Sequence, residues 1–129
     1  QVKANARALA HALQEHGFRL VAGGTDSHLM LIDLTDWGLT GKLAQQVLDW
    51  VHITTNKNMI PYDTQKPFVT SGLRVGTPAV TTRGMREPEM QEIARLIATA
   101  LRHHQDETVL DQVRQQVHEL TARFPVHRL

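Results

Sequence analysis

The sequence predicts a small α+β two-layer fold of the α/β class, a short antiparallel or mixed sheet covered by helices on one face. Helix-period segments open and close the chain, and short apolar runs of strand length lie between them. No repeat, low-complexity tract or interdomain linker divides the 129 residues, a length that suits one core and is short for two, so 1–129 reads as a single domain.

The elements follow in order. Val2, Ala6, Leu9, Ala10 and Leu13 recur at helical spacing up to a stop at Gly17. This opening, "QVKANARALAHAL", carries neither a cap nor a signal-peptide pattern, so it reads as the middle of a helix cut from a longer protein. "FRLVAGG" reads as a short strand and "HLMLIDL", residues 28–34, as a central one. Thr40 is placed to cap a helix over "GKLAQQVLDWV", with Leu43, Val47 and Val51 on one face, and "HITTN" adds a brief extended piece. Residues 56–68, "NKNMIPYDTQKPF", show no period and read as a loop, long enough to suspect a functional role. "SGLRVG" returns as a strand. Pro88 suits the first turn of a helix lined by Met90, Ile93, Ala94, Ile97 and Leu101. Thr108 with Asp111 offers a capping box for the last helix, packed through Val109, Val113, Val117, Leu120 and Phe124.

Composition narrows the function classes. Hydrophobic residues make up 41% and charged residues 21%, the balance of a globular domain. A net charge of +1 with scattered arginines argues against nucleic-acid or anionic-membrane binding. Cysteine is absent, which excludes disulfides and thiolate metal sites and permits a cytosolic origin. No apolar run reaches the ~18 residues that span a bilayer.

Arg74 in "TSGLRVGTPA" is the strongest chemical clue. It stands among apolar residues, in what reads as a buried strand, and a buried guanidinium requires an anionic partner. Its planar fork matches a carboxylate, and Gly72 and Gly76 on either side permit close approach. The competing reading is an arginine on the exposed face of an edge strand, paired with an internal acid. Asn56 to Asn58 read as a turn, although their amides and Lys57 could also contact the polar edge of a heterocycle. Lys57 has no apolar surroundings to activate it as a nucleophile. His103 and His104 are adjacent and His11 and His16 five apart, so no histidine cluster has metal-ligand spacing. His28, at a strand entry near Asp26, reads as a structural hydrogen-bonder. No Ser-His-Asp, P-loop or dinucleotide signature appears. The residues alone therefore describe an anion clamp without a nucleophile or base.

"GGTDSHLMLIDL", "TTNKNMIPYD" and "KPFVTSGLRVGTPAVTTRGM" together resemble the carboxy-terminal domain of the bacterial serine hydroxymethyltransferases, and the resemblance runs from the first helix to "RFPV". It implies the small domain of an aspartate-aminotransferase-like, fold type I enzyme that uses pyridoxal 5'-phosphate. Such enzymes interconvert serine and glycine while exchanging a one-carbon unit with tetrahydrofolate. By this resemblance Arg74 binds the substrate α-carboxylate, Asn58 the pterin edge, and Lys66, Pro67 and Phe68 line the folate pocket. Arg83 reads as structural, and the sequence departs from common relatives at Ser27, Met59, Tyr62 and Thr64. The resemblance places the cofactor's lysine and phosphate-binding groups in a large domain outside this chain. With only Lys3, Lys42, Lys57 and Lys66, none in the family's cofactor motif, the chain alone is expected to bind no cofactor and to be inactive. The implied partners are the large domain and a second subunit of a cytoplasmic homodimer, with no metal. Two rival readings are a free-standing module that binds amino acids or other small carboxylates, and a domain serving folding or assembly with Arg74 structural.

Overall fold

Helix α1 spans Val2–Glu15 and buries Ala6, Leu9, Ala10 and Leu13 along one stripe. It stops at Gly17, whose φ of +93° favours glycine. The computed structural model of the chain describes residues 2–21, 29–76 and 84–124. The readings that fall on Asp26, Ser27, His28 and Arg83 lie outside the described residues.

Strand β1 covers Arg19–Leu20 and β2 covers Leu29–Asp33. A short helical turn at Thr35–Trp37 leads to α2, Gly41–Trp50, then β3, Asn56–Asn58, and β4, Gly72–Gly76. Helices α3, Glu87–Arg102, and α4, Glu107–Arg123, follow. The sheet is antiparallel throughout with the order β1-β2-β4-β3, so "HLMLIDL" and "SGLRVG" supply its two central strands, as their apolar runs suggest.

Alternation sorts the central strands into two faces. Met30 and Ile32 of β2 and Leu73 and Val75 of β4 point into the core with the helices. Burying each such side chain stabilises by about 1.5–3 kcal/mol. Leu31, Asp33 and Arg74 point the other way and are half-buried or exposed. Helix α3 lies between α1 and α4, and besides the expected Met90, Ala94, Ile97 and Leu101 it also buries Leu96, Ala98 and Ala100, while Ile93, expected on the same face, is half-buried. Buried Asn5 of α1 donates to the Met85 carbonyl at 2.9 Å, tying the first helix to the segment ahead of α3. At one corner Phe18 stacks on Trp37 with ring centroids 4.1 Å apart, and Arg102 at the end of α3 lies over the same indole.

Several local expectations need correction. Asn56–Asn58 is not a turn but an edge strand, while "HITTN" contributes no strand of its own; the ladder with β4 overrides the weak strand propensity of asparagine. "FRLVAGG" yields only two strand residues within its described part. Thr40 does cap α2, accepting from Leu43 N–H at 3.1 Å, and of the expected face Val47 and Val51 are buried together with Ala44 and Leu48, while Leu43 is half-buried. In α4 the cap is Asp106, which accepts from the N–H groups of Thr108 and Val109. Thr108 therefore lies inside the helix, because the aspartate two residues earlier already satisfies its first free donors.

Candidate functional site

The site begins with the register of the sheet. Arg74 stands opposite Leu31 on one side and Asn56 on the other, so β2, β4 and β3 place these three residues in one row across the face away from the helices. Side chains in such a row stand about 5 Å apart at Cβ. Gly72 pairs with both Asp33 and Asn58 on the same face. A side chain at Gly72 would collide with the Asn58 carbonyl and lie 2.7 Å from Ile60 Cγ2, so glycine is what lets Ile60 fold across the sheet here.

Arg74 is exposed, which corrects the expectation of burial. Leu73 and Val75 point into the core, and the two-residue period puts the side chain between them on the open face. Among the described residues it has no ion pair and no side-chain hydrogen bond. A row of Leu31, Arg74 and Asn56 thus presents an exposed cation, whose guanidinium carries five N–H donors, on this face.

Asn58 is half-buried at the end of β3, and its side-chain amide donates to the Met59 carbonyl at 2.9 Å. The loop then runs to a tight turn in which Val69 and Thr70 N–H both donate to the Lys66 carbonyl at 2.9 Å. Lys66, Pro67 and Phe68 are exposed on this turn. The turn is docked on the start of α2, whose Gly41 and Lys42 N–H groups donate to the carbonyls of Thr70 and Val69. A side chain at Gly41 would overlap the Thr70 hydroxyl and the Gly72 carbonyl, so this docking needs glycine. Thr70 adopts a φ of +59°, an uncommon conformation for a β-branched residue, and its hydroxyl donates to Gly72 O at 3.1 Å.

Asp63, which the sequence left unremarked, organises the middle of the loop. Burial acts to raise its pKa, but hydrogen bonds from Gln65, Ser71 and Ile60 outweigh that and hold it below the ordinary 3.8. An aspartate followed two residues on by an N–H donor is a recognisable turn signal, yet its partner Ser71 lies eight positions away, beyond any local pattern. Three of the large apolar side chains left exposed among the described residues, Met59, Tyr62 and Phe68, belong to this loop. Arg74 thus lies on β4, Asn58 at the end of β3 opposite Gly72, and the Lys66–Phe68 turn on the loop between the two strands.

Lys3, Lys42 and Lys66 are exposed and Lys57 is half-buried beside the first turn of α2. None has the desolvated setting that activates an amine for covalent work. No helix among the described residues is long and apolar enough to cross a membrane.

Helices on one face of an antiparallel sheet and an exposed Arg74 on the other make an α/β two-layer domain, consistent with the small domain of a fold type I, aspartate-aminotransferase-like enzyme. Comparison with known families matches residues 1–97 to serine hydroxymethyltransferase. A serine hydroxymethyltransferase of Myxococcus xanthus (strain DK1622) is 58% identical over 127 residues, covering 98% of this chain and 30% of the relative. The chain belongs to the serine hydroxymethyltransferase family. It spans about a third of the length of that curated relative.

Proposed function

We propose that this chain is the carboxy-terminal small domain of an enzyme that reversibly converts serine and tetrahydrofolate to glycine and 5,10-methylenetetrahydrofolate. Its role is to supply one wall of the active site. Arg74 receives the α-carboxylate of the amino acid through two parallel hydrogen bonds, and this fixes the orientation of the bonds at Cα. Asn58 meets the polar edge of the pterin, and the Lys66–Phe68 turn lines the folate pocket, with the exposed Phe68 ring as apolar surface.

Pyridoxal 5'-phosphate supplies the electron sink for such chemistry. The lysines of this chain do not suit it, so the cofactor is assigned to a large domain outside the chain, and no step through it is drawn from these residues. The remaining partners are that domain and a second subunit of a cytoplasmic homodimer.

The observation that carries this reading is Arg74 itself, a cation on the open sheet face without a counter-ion among the described residues. The test is Arg74→Lys and Arg74→Ala in the full-length enzyme. Lysine keeps the charge but loses the fork, so both variants are expected to lose kcat/KM for serine by the equivalent of about 2–5 kcal/mol. Near-normal serine kinetics in either variant would return Arg74 to a structural role.

A further inference from the structure

One carboxylate gives the loop between β3 and β4 its shape. Asp63 Oδ1 accepts from Gln65 N–H and from the Ser71 hydroxyl, each at 2.8 Å. Its Oδ2 accepts from Ser71 N–H at 2.8 Å and from Ile60 N–H at 3.2 Å. The Asp63 N–H in turn donates to the Ile60 carbonyl at 3.1 Å. These partners come from separate places: Ile60 just beyond β3, Gln65 within the loop, and Ser71 immediately before β4. An ionised carboxylate is acceptor-only, with room for about four hydrogen bonds. The loop's own donors therefore take up its capacity, and Asp63 is not a ligand-binding group.

The knot lies between the groups proposed to contact ligand. Asn58 precedes Ile60, the Lys66–Phe68 turn follows Gln65, and Arg74 lies in the strand that Ser71 leads into. Ser71 is fixed independently, since its carbonyl accepts from Leu34 N–H at 2.9 Å at the end of β2. The turn at 66–70 also has its own anchor on α2. Residues 59–65 have no such backbone tie to the sheet or to a helix among the described residues. Asp63 refers them to Ser71, and hence to the sheet.

We propose that Asp63 is a positioning residue for the folate half of the site: by holding residues 59–65 its carboxylate fixes the Met59 carbonyl that orients the Asn58 side-chain amide, beside the separately anchored Lys66–Phe68 turn. This rests on the folate reading given above. It adds a residue that touches no substrate and acts only through the loop it holds.

The test is Asp63→Asn in the full-length enzyme, with Ser71→Ala as a milder second variant. Asparagine turns an NH2 group toward N–H donors that need an acceptor. Amides 60–65 should then exchange faster while the core helices keep their protection. The KM for tetrahydrofolate should rise roughly 10- to 100-fold, the effect of displacing a binding group by about an ångström. Serine affinity measured without tetrahydrofolate should stay within about twofold, because Arg74 is held by the β2 and β3 ladders rather than by the loop. Ser71→Ala should shift loop exchange and folate KM in the same direction by less. Unchanged loop exchange in Asp63→Asn, a loosened loop with unchanged folate KM, or an equal loss of serine affinity would each overturn the proposal. Asn58→Ala run alongside separates the causes. If it raises the folate KM and Asp63→Asn does not, only the role of Asp63 falls; if neither moves it, the folate reading itself has failed.

Discussion

Asp63 and Arg74 are charged groups treated in opposite ways, one enclosed by hydrogen-bond donors and the other exposed on the sheet. Asp63 meets converging donors, and its depressed pKa reports that the anion is the form the loop is built around. A carboxylate whose folded pKa lies below its unfolded value stabilises the fold above the unfolded value, and that contribution disappears as pH falls through the folded one. The protection of the Gln65 and Ser71 amides should therefore persist on acidification through 3.8 and fade only below it. A carbon-detected titration of the Asp63 carboxyl should give a midpoint under 3.8, and a midpoint at or above that value would contradict the hydrogen-bond geometry. Arg74 has no such partners among the described residues. Its residue type and flanking glycines were legible in the sequence, and the anion-clamp reading comes from them. Its exposure was also written there, in the alternation of Leu73, Arg74 and Val75, but the continuous apolar look of "GLRVG" masked the period. Asp63 was not legible, because its importance depends on Ser71 being brought back beside it by the β3–β4 pairing.

At the scale of elements, the long helices and central strands were readable because their periods are set by burial, which acts along the whole element. The edges were not. Asn56–Asn58 becomes a strand because β4 offers it a ladder and because Gln45 of α2 accepts from Lys57 N–H at 2.8 Å, neither of which is local. The start of α4 shows a different failure, a choice between two plausible caps. Thr108 and Asp106 both carry a capping oxygen, and the structure gives the role to Asp106, which accepts from Thr108 and Val109 N–H. Asp106→Ala should cost about 1 kcal/mol in a urea unfolding measurement. Thr108→Ala, an exposed position inside the helix, should stay within about 0.5 kcal/mol of wild type. The reverse order of effects would move the helix start to Thr108.

For the molecule as a whole, the open sheet face decides what the chain can do by itself. An ion pair made by an exposed guanidinium is worth about 0–1 kcal/mol, because water screens the charge and ordering the long side chain costs entropy. A Kd of 1 mM needs about 4.1 kcal/mol. The row of Leu31, Arg74 and Asn56 supplies that one exposed cation and a flanking amide, with Met59, Tyr62 and Phe68 uncovered in the adjoining loop. Such a surface falls well short of millimolar affinity until a second wall excludes water and makes the charge-assisted pair strong. Calorimetry of glycine or serine with the isolated chain, its fold checked by circular dichroism, should accordingly show no saturable heat up to several millimolar, whereas the full-length enzyme should bind. The same logic fixes the effect of Arg74→Ala: undetectable on glycine binding by the isolated chain, large in the full-length enzyme. Saturable glycine binding by the isolated chain, abolished by Arg74→Ala, would instead make this a self-sufficient carboxylate-binding module, since the affinity would then come from groups within the chain rather than from a facing domain.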